Sequence, residues 1–126
     1  MIVRIVLDGV RRAAAEGGRF VRADLGAEVE LGPPGERVIT RTVLVGRAPE
    51  DGAWHAYANV CRHRALPLDL GAPSPMSDDG QWLLCHQHGA LYRPTDGACV
   101  AGPCAGATLA SVAIREEGDT LVIDLP

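Results

Sequence analysis

The sequence predicts an all-β fold, a sandwich or barrel with little helix, and three observations carry that prediction. Short runs rich in Val, Ile, Leu and Thr recur along the chain. Gly and Pro punctuate them at turn spacing, most plainly at Gly32-Pro33-Pro34-Gly35. Only one segment, residues 8–16, suggests a short helix or a turn, with Asp8 as an N-cap and Gly17-Gly18 as a stop.

At 126 residues the chain is expected to be a single domain, 1–126, with one modest core. Apolar residues make up 47% of it, but only Phe20, Trp54, Tyr57, Trp82 and Tyr92 are aromatic, so Val, Leu, Ile and Ala must build the core. A formal net charge of −4 and a pI near 5.5 argue against nucleic acid as a partner. All twelve basic residues are Arg; no single function would strip Lys from every surface position, so this reflects genomic composition. The N-terminal run is interrupted by Arg4 and Asp8 and reads as neither signal peptide nor membrane anchor. The expectation is a soluble, cytoplasmic protein with no membrane partner, whose four Cys bind metal or stay free rather than form disulfides.

Taken in order, residues 2–7 read as a first strand. Residues 20–22 and 27–31 read as two short strands, and 37–47 as a well-defined one. Residues 54–60 alternate as a strand should and deliver the chain to Cys61. Residues 66–80, with three Pro, two Ser and three Asp, form an irregular connection. Residues 81–84 make a short strand feeding Cys85, and 91–93 with 98–101 form a hairpin about the Pro94–Gly97 turn. Residues 109–115 and 120–124 close the fold around Glu117-Gly118-Asp119.

Two boxes stand out: Cys61-Arg62-His63-Arg64 and Cys85-His86-Gln87-His88-Gly89, separated so that residues 64–84 lie between His63 and Cys85. Each offers one thiolate and one imidazole. A structural zinc site ordinarily pairs Cys with Cys and His with His. Here each box mixes the types, so two facing turns can place both thiolates on one metal and both imidazoles on another. That suits a binuclear cluster with chemically different ends, although a single zinc on the same four ligands stays open. His86 reads as a polar group flanking the second box, and His55 as an ordinary strand histidine. Cys99 and Cys104 read as small buried fillers more readily than as ligands; a disulfide between them is disfavoured by the expected compartment.

On these residues the chain resembles the Rieske [2Fe-2S] family. The resemblance rests on Cys61-Arg62-His63-Arg64, Cys85-His86-Gln87-His88-Gly89 and Gly102-Pro103, and runs from about Trp54 to the C-terminus. The stretch from Leu91 to Gly106 is similar to the third cluster-facing loop of small soluble bacterial Rieske ferredoxins. The resemblance implies a Rieske-like antiparallel sandwich or barrel with a cluster-binding part, about 60–105, made of two hairpin loops. Residues 1–36 carry no motif and are left as an extension of the β scaffold. It further implies one [2Fe-2S] cluster per chain, with Cys61 and Cys85 on one iron and His63 and His88 on the other, and with Tyr92, Gly102 and Pro103 around it. The residue after each ligand Cys is often Pro in the family; here it is Arg62 and His86. Neither box carries the extra Cys that links the loops in respiratory-complex members.

Such a cluster is neutral when oxidised and gains a single negative charge on reduction, so it accepts an electron more readily than a four-thiolate cluster. Hydrogen bonds to its sulfurs raise the potential further. High-potential members place a Ser and a Tyr after the second box; here Ala90 and Tyr92 stand there. The expectation is a potential in the lower half of the Rieske range, roughly −150 to +300 mV. The implied function is one-electron transfer as a ferredoxin or an electron-transfer component of an oxygenase-like system, with a reductase and an acceptor as partners. A redox-sensing module is the alternative. A catalytic centre within the chain is not expected: with His63 and His88 committed, only His55 and His86 remain for a mononuclear iron site. Arg62, Arg64 and Arg93 suggest a basic rim for an acidic redox partner.

Overall fold

The computed structural model describes the backbone of residues 2–6 and, with side chains, residues 20–32, 35, 37–48, 50–62, 66–69, 75–87, 89–118 and 120–125. The short helix or turn expected over residues 8–16 lies outside the described residues. Those described form nine strands and no helix: β1 (Ile2–Val6), β2 (Phe20–Leu31), β3 (Val38–Arg47), β4 (Trp54–Ala58), β5 (Leu83–Leu84), β6 (Leu91–Tyr92), β7 (Cys99–Ala101), β8 (Ser111–Glu117) and β9 (Thr120–Asp124). Among them no helix is long and apolar enough to cross a membrane.

The strands pair into two antiparallel sheets. One has six strands in the order β1-β9-β8-β4-β3-β2, the other three in the order β5-β6-β7. The large sheet is the scaffold and the small one carries the second box and the hairpin after it. This is the all-β, antiparallel, two-part architecture the sequence predicts.

One element differs from expectation. Residues 20–22 and 27–31 are not two strands but the two ends of β2, joined through a register shift between Asp24 and Val29 opposite β3. Gly26 adopts φ +84° there, and its N–H donates to Asp24 Oδ1 at 2.6 Å. An Asp two residues before a left-handed Gly is turn chemistry, but here it bends a strand without ending it.

Side-chain alternation on β3 and β4 explains why the scaffold holds two cores. Val43, Val45, Ala56 and Ala58 point to one face, where they pack with Leu31, Val112, Leu121 and Ile123. Leu44 and Tyr57, directly opposite each other across the strands, point to the other face. There they meet Phe20, Leu68, Met76, Leu83, Tyr92, Leu109 and all four Cys. The two-residue period of a strand thus makes one sheet both the wall of a barrel and the floor of a second lobe.

Candidate functional site

The first box follows directly from β4. Beyond Ala58 the chain reaches Asn59, 1% exposed, whose backbone N–H donates to Thr42 O at 3.2 Å. Its amide Nδ2 donates to Thr42 Oγ1 at 3.2 Å and Asp69 Oδ1 at 3.4 Å, while its Oδ1 accepts the Leu68 N–H at 2.9 Å. One buried side chain therefore ties both ends of the 59–68 loop to β3. Asp69, 1% exposed, is also held by Arg22 Nη1 at 3.0 Å. A buried carboxylate requires such partners, because an uncompensated one is costly.

The two boxes share a backbone device. The Cys61 N–H donates to Leu66 O at 2.8 Å, and the Cys85 N–H donates to Ala90 O at 2.9 Å. Each Cys thus closes a loop onto the carbonyl five residues ahead. His63 falls inside the first closed loop and His88 inside the second by sequence; both lie outside the described residues. The Gly89 N–H also returns to Cys85 O at 2.9 Å, with Gly89 at φ +77°, a conformation suited to Gly. The loops are joined by the His86 N–H donating to Leu68 O at 2.8 Å. Cys61 and Cys85 are 3% and 1% exposed and lie in the same apolar cluster.

A third segment covers the second box. Gly102 has φ +99°, and a Cβ there would lie 2.7 Å from Ala90 Cα. Backbone thus touches backbone, which only Gly permits. Pro103, exposed, follows in the same turn, which closes with the Ala105 N–H on Gly102 O at 3.2 Å and the Ala107 N–H on Cys104 O at 2.9 Å.

Tyr92 links these parts. It is fully buried on β6, with its hydroxyl 3.5 Å from Cys61 Sγ and 2.9 Å from Cys104 Sγ, and it accepts the Arg62 N–H at 3.1 Å. Burial first, then its contacts with Cys104 and Cys61, push the phenol well above its ordinary range. It is a neutral hydrogen-bond donor at any physiological pH. Of the residues singled out from the sequence, Cys61, Cys85, Tyr92 and Gly102 are thus brought together. Two side chains of this surround carried no sequence signal: Asn59, an ordinary residue after a strand, and Cys104, taken as a filler.

The other flagged residues stand apart. His55 Nε2 is 2.8 Å from Asp51 Oδ2, in keeping with a strand histidine. Arg93 pairs with Asp96 at 3.0 Å, both about half exposed. His86 is exposed within the second loop.

A two-iron cluster with a thiolate end needs paired buried sulfurs, closed loops around them and donors to the sulfur. Cys61, Cys85, their matched loops and the Tyr92 hydroxyl fit that requirement.

Solved structures share this fold. The chain aligns with the terminal oxygenase of carbazole 1,9a-dioxygenase from Nocardioides aromaticivorans at TM-score 0.54 and 23% identity, over 82% of this chain but only 27% of that one. With the ferredoxin of the same dioxygenase the TM-score is 0.53 at 21% identity, over 86% of this chain and 100% of that one. With the plasma membrane Rieske protein of Synechocystis it is 0.60 at 17% identity, over 97% and 98%. The chain therefore spans about a quarter of the oxygenase it matches. Among curated proteins, none matches the chain. The family model for the Rieske [2Fe-2S] domain matches residues 21–115, from the first bulged strand through β8. With two buried Cys in matched loops and that match across most of its length, the chain belongs to the Rieske [2Fe-2S] domain family, whose cofactor is a [2Fe-2S] cluster.

Proposed function

We propose that this chain is a one-electron carrier, a Rieske-type ferredoxin or the electron-transfer component of an oxygenase-like system, read as one domain over 1–126. Cys61 and Cys85 would hold one iron of the cluster, and His63 and His88 the other. When bound, the cluster accepts and releases a single electron. The observation that carries the reading is the matched pair of loops, each closed by its own Cys N–H and joined through His86 N–H to Leu68 O, with both sulfurs buried in one core.

The residues around the boxes have defined tasks. Tyr92 donates a hydrogen bond to Cys61 Sγ, since a ligand thiolate has no proton to give. That bond favours the reduced, more negative state and so raises the potential. Ala90 brings no side-chain hydroxyl, which keeps the potential in the lower half of the range. Gly102, lying against Ala90, and Pro103 after it would cover the second box and limit water. The likeness of fold to a small ferredoxin, over 86% of this chain and 100% of that one, supports the carrier reading. Between the two described arginines of the rim, Arg62 is the better placed to dock an acidic partner, because Arg93 is already engaged by Asp96.

The test is analysis of the purified chain for iron and acid-labile sulfide, with electron paramagnetic resonance after dithionite reduction. Two irons and two sulfides per chain with a Rieske-type signal are expected. A colourless protein carrying one zinc would overturn the reading. Salt-dependent electron transfer with a reductase, weakened by Arg62→Glu, would support docking through the rim; an unchanged rate would refute it.

A further inference from the structure

Cys99 and Cys104 have no place in the proposed ligand set, yet they face each other at the edge of the site. Their sulfurs lie 3.2 Å apart, and both side chains are buried, 6% and 8% exposed. We propose that this pair is a covalent modification site, closing to a Cys99–Cys104 disulfide in response to a hydroperoxide, and that closure changes the hydrogen bonding of Tyr92 and through it lowers the potential of the cluster. The second half rests on the cluster reading above; the first does not.

Geometry carries the first half. A disulfide bond is about 2.05 Å long, so the sulfurs need to approach by only about 1.2 Å. The backbone around them is already pinned. The Cys99 N–H donates to Ala107 O at 2.8 Å, the Gly106 N–H to Cys99 O at 3.3 Å, and the Ala107 N–H to Cys104 O at 2.9 Å. These bonds hold the turn as the sulfurs approach, and closure exchanges the Cys99 Sγ contact with Ala101 O, 3.2 Å, for the S–S bond.

The chemistry balances with a hydroperoxide as oxidant. One thiolate attacks the terminal peroxide oxygen; the O–O bond breaks, a sulfenic acid forms and hydroxide or alkoxide leaves. The second thiol attacks the sulfenic sulfur; the S–S bond forms and water leaves. Two thiols and one hydroperoxide become one disulfide, one water and one alcohol (a second water for hydrogen peroxide), with two electrons passed to the peroxide. A hydroperoxide suits the site because it is small enough to reach buried sulfur. Burial pushes the Cys99 thiol up to about 11 and makes it a poor nucleophile at neutral pH. Either sulfur can attack, with the other as the resolving partner.

Counting protons at the Tyr92 oxygen carries the second half. A phenol has one hydrogen to give and two lone pairs to fill. The Arg62 N–H fills one at 3.1 Å, and the Cys104 thiol, 2.9 Å away, can fill the other. The phenol hydrogen is then directed to Cys61 Sγ at 3.5 Å. In the disulfide, Cys104 has no hydrogen left and can only accept. It then competes with Cys61 for the single phenol hydrogen, and the cluster sulfur loses part of a bond that favours its reduced state.

The experiment uses the cluster-loaded full-length protein treated anaerobically with one equivalent of hydrogen peroxide, with visible absorbance reporting cluster retention. Alkylation under denaturing conditions, intact mass and peptide mapping should show loss of two hydrogens and a bond joining Cys99 to Cys104. Neither Cys99→Ser nor Cys104→Ser should show this loss of two hydrogens. Voltammetry should show a downward shift in potential that dithiothreitol reverses and that Tyr92→Phe abolishes. Unmodified Cys99 and Cys104, or a disulfide that recruits Cys61 or Cys85, overturns the modification site. A closed disulfide with an unmoved potential overturns the coupling through Tyr92. A chain that lacks iron and sulfide yet still closes the pair overturns the carrier reading while supporting the modification site.

Discussion

Gly102 and Gly106 offer a matched pair of perturbations on the loop that covers the second box. Their backbones are nearly alike, φ +99° and +96°, but a Cβ at Gly102 would meet Ala90 Cα at 2.7 Å and Ala90 N at 3.2 Å, while one at Gly106 would meet nothing within 4 Å. Placing an L-residue in this region costs about 1–3 kcal/mol at either position. Only Gly102→Ala adds a clash with backbone, which cannot rotate away, and overpacking of that kind costs about 1–3 kcal/mol more. Gly102→Ala is thus expected to lose about 2–6 kcal/mol and Gly106→Ala about 1–3 kcal/mol. Guanidinium unfolding of the loaded protein, followed by circular dichroism and by cluster absorbance, reads the difference between them. Gly102→Ala should also lose its cluster first, because the Ala90 carbonyl it displaces receives the Cys85 N–H at 2.9 Å. Equal stabilities, within about 0.5 kcal/mol, would refute the close approach of the third loop to the second box.

Other perturbations test other parts. Tyr92→Phe removes the donor to Cys61 Sγ; a hydrogen bond worth about 0.5–1.5 kcal/mol more in the reduced state corresponds to a fall of about 20–60 mV in potential, which voltammetry would detect and an unchanged potential would contradict. Arg22→Ala leaves the buried Asp69 carboxylate without its guanidinium. The expected loss is about 1–2 kcal/mol, below that for a fully buried pair because Arg22 is half in water, and stability equal to the parent's would dismiss the pair. Burial pushes the folded Cys99 thiol up to about 11 from an ordinary value of 9.0. Between those values the unfolded chain binds fewer protons than the folded one, so stability should fall as pH rises through that window. Cys99→Ser should reduce that slope in urea titrations between about pH 9 and 10, below the range in which the buried phenols of Tyr57 and Tyr92 add a slope of the same sign; an unreduced slope there would place its origin elsewhere.

Period-two patterning made most strands readable. Residues 120–124 form β9 as expected, and residues 37–47 and 54–60 differ from β3 and β4 by residues at their ends. The bulge in β2 was not readable, because Asp24 and Gly26 carry the same local signal whether a strand stops or bends; pairing of both ends with β3 decides it. The site was legible in part for a similar reason. Thiolates and imidazoles at fixed spacing announce a metal, but the surround depends on contacts remote in sequence. Cys104 meets Tyr92 across twelve residues, and Arg22 meets Asp69 across forty-seven. No short pattern encodes such encounters; they follow from how the small sheet docks on the large one.

That docking runs through two tyrosines with different tasks. Tyr57, on the face of β4 turned to the second lobe, is 1% exposed and donates from its hydroxyl to Pro94 O at 2.7 Å. The hairpin turn rests on its ring so closely that a Cβ at Gly97 would lie 2.9 Å from Tyr57 Cε1. Tyr57 therefore fixes the β6–β7 hairpin to the scaffold, and the hairpin in turn carries Tyr92 to Cys61. If the roles divide in this way, the two phenols separate experimentally. Tyr57→Phe strands a buried Pro94 carbonyl and should cost about 1–3 kcal/mol of stability, with the potential little changed. Tyr92→Phe should move the potential. A Tyr57→Phe protein of undiminished stability, or one whose potential falls as far as that of Tyr92→Phe, would show that the hairpin is not held as this geometry requires.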